Sequence, residues 1–235
     1  DAVVWGYARG ADRLGVEIHP FTEVIGITEK NGRVTGLDTN AGHISAGTIV
    51  NATAGWSSNL ASMLDIELPI QTYPLQACVT EPVKPIMDKT ISSANLNAYI
   101  YQTERGEIVI GGPVDHYPTY SHSSTLNLLE ELAFYVLELV PCLRDVKILR
   151  QWTGLCDMTP DYAPVMGQVD GLDGFILNCG WGTWGFKAAP ISGKCIAELI
   201  FTGKTPQLIA PFGLSRFKED TLVNERASAV AAAIH

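Results

Sequence analysis

The chain has 235 residues, of which 46% are hydrophobic and 17% charged, so it can bury a substantial core and bulk disorder is not expected. Its net charge of −9, without clusters of Lys and Arg, argues against nucleic acid or an anionic membrane as a partner. No apolar run is long enough to cross a bilayer and no signal sequence opens the chain, so we predict a soluble, cytoplasmic protein. The five cysteines lack metal-ligand spacing, and no metal site is predicted.

A helix is predicted first along the chain. Apolar residues over 2–14 recur at helical spacing, and Gly15 is a natural helix terminator. The apolar and polar residues over 16–19 then predict a strand. Because the helical pattern begins directly after Asp1, we expect this chain to be the C-terminal portion of a larger protein.

A small β-meander is predicted next. The segments 23–28 and 33–39 alternate apolar and polar residues on either side of Asn31-Gly32, which is a strong hairpin signal. A further strand over 44–50 follows.

A strand over 49–52 leads into a turn of small residues and a second helix. Ser57 or Ser58 can cap that helix, which is expected to run to Leu64. The turn would let a ligand lie against the backbone, although a simple packing turn uses the same residue types. Its residues are Thr53, Ala54, Gly55 and Trp56.

The middle of the chain predicts an antiparallel sheet with one helix covering it. The helix spans 125–139 and stops before Pro141, because proline disfavours helix in the residue that precedes it. The predicted strands are 73–80, 98–102, 107–111 and 146–153, with a hairpin turn at 103–106.

The glycine-rich stretch from Gly174 to Pro190 carries the strongest functional signal. A buried strand is predicted over 175–178 and a helix from Pro190 onward. Between them, three glycines allow a tight turn whose backbone can come close to a planar or anionic ligand, while N–H groups at the start of the helix point outward. Lys187 lies in the middle of this turn, where it either solvates the loop or meets an anion. The glycines are Gly180, Gly182 and Gly185.

Three stretches together resemble the D-amino-acid oxidase and sarcosine oxidase family of FAD enzymes, namely 52–56, Thr159-Pro160-Asp161 and 180–187. The stretches 76–85, 150–152 and 179–188 are similar, more specifically, to the beta subunits of heterotetrameric sarcosine oxidases. The resemblance implies oxidation of an N-methyl amino acid such as sarcosine to an imine, with FAD accepting the hydride. The imine is then hydrolysed or captured by tetrahydrofolate.

The resemblance also implies an α+β fold. An incomplete, Rossmann-like FAD-binding domain is interrupted by a substrate domain whose mostly antiparallel sheet is covered by helices. The FAD-binding domain is expected over 1–66 and 154–203 and the substrate-binding domain over 67–153. The tail over 204–235 ends in an alanine-rich helical stretch.

Individual roles follow from the same resemblance. The flavin is expected to dock on the glycine turn and the helix after it, with Lys187 pairing with the substrate carboxylate. Tyr99 and Tyr101 are expected to line the pocket over the flavin or to serve packing alone. Arg150 and Trp152 have the same ambiguity, and Arg150 could also serve a subunit contact or a second flavin. The residues expected at the cofactor are Val24, Ala54, Gly55, Trp56, Gly180, Trp181, Gly182, Thr183, Trp184, Gly185, Phe186 and Lys187.

The chain departs from the family in ways that bear on cofactors. The family's N-terminal dinucleotide fingerprint and ribose-binding acid are not among these residues, so the isolated chain is expected to bind FAD poorly. Residues 107–111, where monomeric relatives carry a lysine that helps oxygen react, are apolar, which favours electron transfer to a second flavin, FMN. The histidine that carries covalent FMN is expected upstream of Asp1. Gly154 falls near the cysteine that links FAD in monomeric relatives, so FAD is expected to be non-covalent.

Two alternatives stay open at this point. The same scaffold could oxidise glycine, dimethylglycine or a D-amino acid. It could also be a non-catalytic subunit that uses a flavin-binding fold to hold other subunits of a sarcosine oxidase type of complex.

Overall fold

The computed structural model describes residues 2–223. Within them the chain forms four α-helices, which are α1 Ala2–Arg13, α2 Ser57–Ser62, α3 Leu126–Leu139 and α4 Gly185–Thr202. The strands of the same part of the chain are β1 Val24–Lys30, β2 Arg33–Thr39, β3 Gly42–Ser45, β4 Ile49–Asn51, β5 Gln71–Thr80, β6 Ile91–Ser93, β7 Ala98–Gln102, β8 Ile108–Val114, β9 Ile148–Met158, β10 Val165–Gln168 and β11 Phe175–Cys179. The alanine-rich helix predicted near the C-terminus lies outside the described residues.

The strands form three sheets, and the predicted α+β class is confirmed. One is an antiparallel meander in the order β1-β2-β3, and another has the order β10-β11-β4. The largest has the order β6-β7-β8-β5-β9 and is antiparallel throughout. Strands β4 and β11 pair in parallel, which is the geometry of a Rossmann-like unit. Among residues 2–223, no helix combines the length and the apolar content needed to span a bilayer.

Several local predictions are confirmed by the structure. Asn31 and Gly32 have φ values of 54° and 77°, as a type I′ turn requires, and they join β1 to β2. The Thr125 side chain caps α3 by accepting a hydrogen bond from the N–H of Leu128, and the helix ends before Pro141.

Three local predictions are wrong. Residues 16–19 form no strand, because none of the described strands pairs with them. Ser57 lies inside α2, and the residue at the N-cap is Trp56, which makes no side-chain capping bond; the helix ends at Ser62 rather than Leu64. Helix α4 begins at Gly185, earlier than predicted, and Pro190 lies inside it. Pro190 removes one backbone hydrogen bond of the helix, but its fixed φ is compatible with helical geometry. The helix therefore continues through Pro190 and starts earlier than the local sequence pattern indicates.

Helix α3 covers one face of the five-stranded sheet. The buried side chains between them include Cys78, Ile100, Ile110, Leu132 and Val136. A second buried cluster lies around the parallel pair, with Phe175, Leu177 and Ile49 at its centre. The two sheets are therefore stabilised by separate cores.

Strand β9 links these two regions. It pairs with β5 along its full length, from Thr80 opposite Ile148 to Gln71 opposite Met158. The predicted boundary between 153 and 154 falls inside this strand. The division into domains stays a prediction, but the sheet itself continues to Met158.

Candidate functional site

The candidate site lies at the carboxyl edge of the parallel pair. In parallel strands the carboxyl ends lie at the same edge, where open α/β sheets bind ligands. The turn Ala54–Trp56 follows β4 and the glycine turn follows β11, so both predicted cofactor turns begin at this edge. The end of β9 reaches both of them, since a Cβ placed on Gly55 would meet Leu155 and Asp157 bonds the glycine turn.

The glycine turn needs glycine at two positions. Gly180 and Gly182 have φ values of 69° and 52°, in the left-handed region. A Cβ on Gly180 would lie 2.7 Å from the Thr159 methyl group, and one on Gly182 would lie 3.2 Å from the Met158 sulfur. Conformation and space together exclude larger residues here.

Asp157, at the end of β9, fills the inside of this turn. Its side chain is buried, and its carboxylate accepts the N–H of Gly180 at 2.6 Å and the N–H of Gly182 at 3.1 Å. The N–H of Gly182 also faces the Asp157 carbonyl at 3.0 Å. The N–H groups of Gly180 and Gly182 are therefore occupied by Asp157 and do not point at a ligand. Sequence reasoning missed Asp157, because nothing in the local pattern links it to residues 23 and 25 positions later.

Burial dominates the electrostatics around this carboxylate. Burial raises the pKa of Asp157, and the N–H groups of the turn offset that effect only in part. Burial, followed by the charge of Asp157, raises the pKa of both Cys156 and Cys179 to about 12. The thiols next to Asp157 are thus neutral, and the hydrogen-bond partners of its carboxyl group are backbone N–H groups.

Within residues 2–223, the start of α4 supplies N–H groups that have no acceptor and can meet a ligand. The first intrahelical bond at this end runs from Ala188 to the carbonyl of Trp184. The N–H groups of Gly185, Phe186 and Lys187 precede it and have no acceptor within the helix. They lie at the positive end of the helix dipole.

Lys187 belongs to the first turn of α4 rather than to the middle of the glycine turn. Its Nζ lies 3.8 Å from the centroid of the Trp184 ring, in a cation–π contact. The Lys187 side chain lines the rim of a mostly apolar cavity of about 480 Å³ between α4, the Tyr162–Pro164 segment and residues 208–212. The Trp181 and Trp184 rings form part of its wall.

The structure places the other predicted residues in separate places. Trp56 stacks on His122, with ring centroids 5.4 Å apart, and the Gly55 carbonyl accepts the hydroxyl of Thr72. Gly180, Gly182, Thr183 and Trp184 line a small hollow with Met158 and Thr159. Val24 begins β1, in the separate three-stranded sheet.

Tyr99 and Tyr101 lie on the face of the large sheet opposite α3. Register places Tyr99, Gly111, Ala77 and Trp152 in one row across four strands. A Cβ on Gly111 would overlap the Tyr99 ring, so that ring lies flat over β8. Burial, followed by the nearby Tyr101, raises the pKa of Tyr99. The guanidinium of Arg150 lies over the Trp152 ring at 5.4 Å, which completes an aromatic face.

A protein-family model described as FAD dependent oxidoreductase matches residues 1–199, which include both turns and the large sheet. The chain belongs to this FAD-dependent oxidoreductase family. It is 43% identical over 97% of its length to the sarcosine oxidase beta subunit of Rhodobacter capsulatus, and 39% identical over its whole length to that of Rhizobium meliloti. Among solved structures, L-proline dehydrogenase from P. horikoshii matches 92% of the chain with a TM-score of 0.86 and 32% identity.

These relatives of the FAD-dependent oxidoreductase family are longer than the chain. The chain covers 55% and 56% of the two beta subunits and 59% of the proline dehydrogenase. The recognition of the family from three short stretches is confirmed, as is the similarity to sarcosine oxidase beta subunits.

The residues at the carboxyl edge fit the flavin end of FAD. The free N–H groups of Gly185 to Lys187 suit the ring edge that gains negative charge on reduction. The sequence Gly180 to Gly185 also has the G-x-G-x-x-G spacing of a pyrophosphate cradle, between a strand and a helix. Because Asp157 already occupies the N–H groups of its first two glycines, this turn does not fit the pyrophosphate.

Proposed function

We propose that this chain is the flavin-docking and substrate-binding part of an FAD-dependent oxidoreductase that oxidises a secondary α-amino acid, with sarcosine as the first candidate. The observation that carries the proposal is identity of 43% and 39%, over nearly the whole chain, to sarcosine oxidase beta subunits. Sarcosine and proline, the substrate in the proline dehydrogenase's name, both carry a secondary amine beside a carboxylate. That shared chemistry favours secondary over primary amines.

Lys187 is the proposed anchor of the substrate carboxylate. In the described part of the chain it forms no salt bridge, so its charge is available to an anionic ligand. The Trp184 ring below the ammonium holds it on the cavity side of α4. An ammonium paired with a carboxylate fixes one end of a small amino acid and so orients its amine.

The start of α4 and the aromatic face have the remaining proposed roles. When bound, FAD would supply the oxidising power by accepting a hydride from the carbon next to the amine nitrogen, and the imine results once the N–H proton has also been lost to solvent. The N–H groups of Gly185, Phe186 and Lys187 would hold the ring edge at which charge develops. Tyr99 and Tyr101 are proposed to shape the pocket, since their rings lie on the face of the sheet that α3 leaves open.

The fate of the electrons and of the imine is also part of the proposal. Residues Ile108 to Ile110 are buried and apolar, with no cation to assist oxygen among them. This supports transfer to FMN in a complex with other subunits of the sarcosine oxidase type. The imine would go to water or to tetrahydrofolate.

Anaerobic reduction of the flavin-loaded holoenzyme tests the substrate class. We expect sarcosine and L-proline to bleach the flavin absorbance. We expect glycine, dimethylglycine and D-alanine to do so much more slowly. Faster reduction by a primary amine would overturn the preference for secondary amines. If no amine reduces the flavin, the chain is a non-catalytic subunit and the proposed activity fails.

Replacing Lys187 tests the carboxylate anchor. A hydrogen bond to a charged group contributes about 1.5 to 3 kcal/mol, so Lys187→Met should raise the KM for sarcosine by roughly 10-fold to 150-fold. Lys194→Met, an exposed lysine on the same helix, is the matched control and should leave KM unchanged. An unchanged KM in Lys187→Met would remove the assignment.

A further inference from the structure

Asp157 joins the two regions that must meet in the proposed site. It lies on β9, opposite Thr72 of β5, and so moves with the antiparallel sheet that carries Tyr99 and Trp152. The N–H groups that it binds belong to the turn between β11 and α4, which carries Lys187. Its carboxyl group therefore connects the five-stranded antiparallel sheet directly to the glycine turn through hydrogen bonds.

The carboxylate is committed to this turn. In the described residues it makes no salt bridge, and its bonds go to Gly180 and Gly182. In a dinucleotide-binding turn of the same G-x-G-x-x-G spacing, such N–H groups receive a phosphate. Here the chain provides its own acceptor at that position, the Asp157 carboxyl group, which holds the turn in its left-handed conformation without a ligand.

We propose that Asp157 is a positioning residue of the flavin site: as a built-in hydrogen-bond acceptor, it fixes the glycine turn and thereby places the N–H groups at the start of α4 and Lys187 relative to the antiparallel sheet. The role rests on the flavin site proposed above. It follows that FAD meets the start of α4 rather than the Gly180 and Gly182 amides, and that phosphate groups are excluded from this turn.

The neighbours of Asp157 support a positioning role. Leu155, two residues earlier on β9, lies under Gly55 of the other turn, and Met158 lies beside Gly182. One short stretch of strand thus contacts both turns at the carboxyl edge. A shift of the Asp157 carboxylate would move the glycine turn and, with it, the start of α4.

Two isosteric variants of the flavin-loaded holoenzyme provide the test. Asp157→Asn keeps the size and one acceptor but presents an NH₂ group to one turn N–H. We expect the Kd for FAD to rise about tenfold, as for loss of one charge-assisted hydrogen bond. We also expect a changed visible circular dichroism of the bound flavin and a larger effect on the KM for sarcosine than on kcat.

Asp161→Asn is the matched control. Asp161 is also buried and lies four residues away, but it binds Arg216 rather than the turn. This variant should lower the thermal unfolding temperature while leaving flavin circular dichroism and the Kd for FAD unchanged. If Asp157→Asn does not fold, Asp157→Glu replaces it in the test. Its longer side chain keeps the carboxyl group but should displace the turn, so we expect the same rise in the Kd for FAD and the same change in flavin circular dichroism.

Each outcome decides between a positioning and a merely structural role. If Asp157→Asn lowers only the unfolding temperature and leaves the Kd and the flavin spectrum unchanged, the proposal is overturned. It is also overturned if Asp161→Asn changes the flavin in the same way. If no amine reduces the wild-type flavin but Asp157→Asn still weakens FAD binding, the positioning role stands and the substrate proposal fails.

Discussion

Two buried carboxyl groups, one at the end of β9 and one just after it, have different hydrogen-bond partners. Asp157 accepts hydrogen bonds from the backbone N–H groups of a glycine turn, and the net effect of its surroundings is a raised pKa. Asp161 is buried as deeply, and burial raises its pKa too. The bidentate hydrogen bonds and charge of Arg216, at 2.7 and 2.9 Å, outweigh that effect and lower the pKa below its ordinary value.

The difference separates a contact that shapes one turn from a contact that joins distant segments of the fold. The Asp161–Arg216 pair connects the β9–β10 connection to residues 212–223, because Arg216 also donates to the carbonyls of Phe212 and Ala163. The N–H of Val223 completes the set at 3.1 Å from Asp161. Full pairing with a cation makes this pair part of the stability of the fold. The Asp157 side chain, in contrast, accepts hydrogen bonds from the backbone of one turn alone, so its contacts depend on the conformation of that turn.

The largest expected effect comes from removing the cation of the stabilising pair. Arg216→Met leaves Asp161 buried without its partner, which costs about 3 to 5 kcal/mol of unfolding free energy. Denaturant unfolding followed by tryptophan fluorescence measures it. Arg150→Met, an exposed arginine on β9, serves as control and should stay within about 0.5 kcal/mol of wild type. A loss below about 1 kcal/mol for Arg216→Met would show that the pair is not a main support.

A second, smaller effect is expected from the turn. Gly180→Ala adds a Cβ at a left-handed φ of 69° and 2.7 Å from the Thr159 methyl, whose hydroxyl is held by the Ala163 carbonyl. The strain and overlap together should cost about 2 to 4 kcal/mol.

The glycine that caps the C-terminus of α4 provides the comparison for that variant. Gly203 has a nearly equal φ of 68° and no atom within 4 Å of the added Cβ. Gly203→Ala should therefore show the conformational part alone, about 1 to 2 kcal/mol. Equal losses for the two variants in denaturant unfolding would mean that the turn is not tightly packed against Thr159.

The smallest expected effect concerns pH: the contributions of Asp157 and Asp161 to stability should change in opposite directions as the pH changes. The folded protein binds the Asp161 proton more weakly than the unfolded chain does, because the pKa of Asp161 is lowered in the folded state. The contribution of Asp161 to stability is therefore complete above the ordinary carboxyl pKa of about 3.9 and is lost as the pH falls through the lowered pKa. For Asp157 the folded pKa is raised, so its contribution is complete below about 3.9 and is lost as the pH rises through the raised value.

Thermal unfolding across the acidic range measures both slopes. The stability advantage of wild type over Asp161→Asn should shrink on acidification. The advantage over Asp157→Asn should instead shrink as the pH rises. If stability changed with pH in the same way for the two variants, the opposite pKa shifts of Asp157 and Asp161 would be contradicted.

The sequence predicts those parts of the fold that depend on near neighbours. The Asn31-Gly32 turn, the Thr125 cap and the buried strand at 175–178 each carry their signal within a few residues, and the structure confirms them. The strand predicted at 16–19 fails because a strand depends on a partner that the local pattern does not contain.

The same reason limits what the sequence indicates about the candidate site. Local glycines mark the turn after β11, and family resemblance marks Lys187, which lies in the first turn of α4. The carboxylate of Asp157 is invisible to both, because its contact with Gly180 spans 23 positions and two sheets. The start of α4 at Gly185 was also missed, since Pro190 is a strong local signal for a later first turn.

Strand β9 runs unbroken for eleven residues from Ile148 to Met158. Trp152 and Asp157 lie five positions apart on it, a separation of roughly 17 Å for an extended chain. A hydrogen-bonded strand hardly stretches along its axis. The distance along the strand between the aromatic face and the glycine turn is therefore constant. The spacing of these two features is thereby set by strand length and not by the flexibility of a loop.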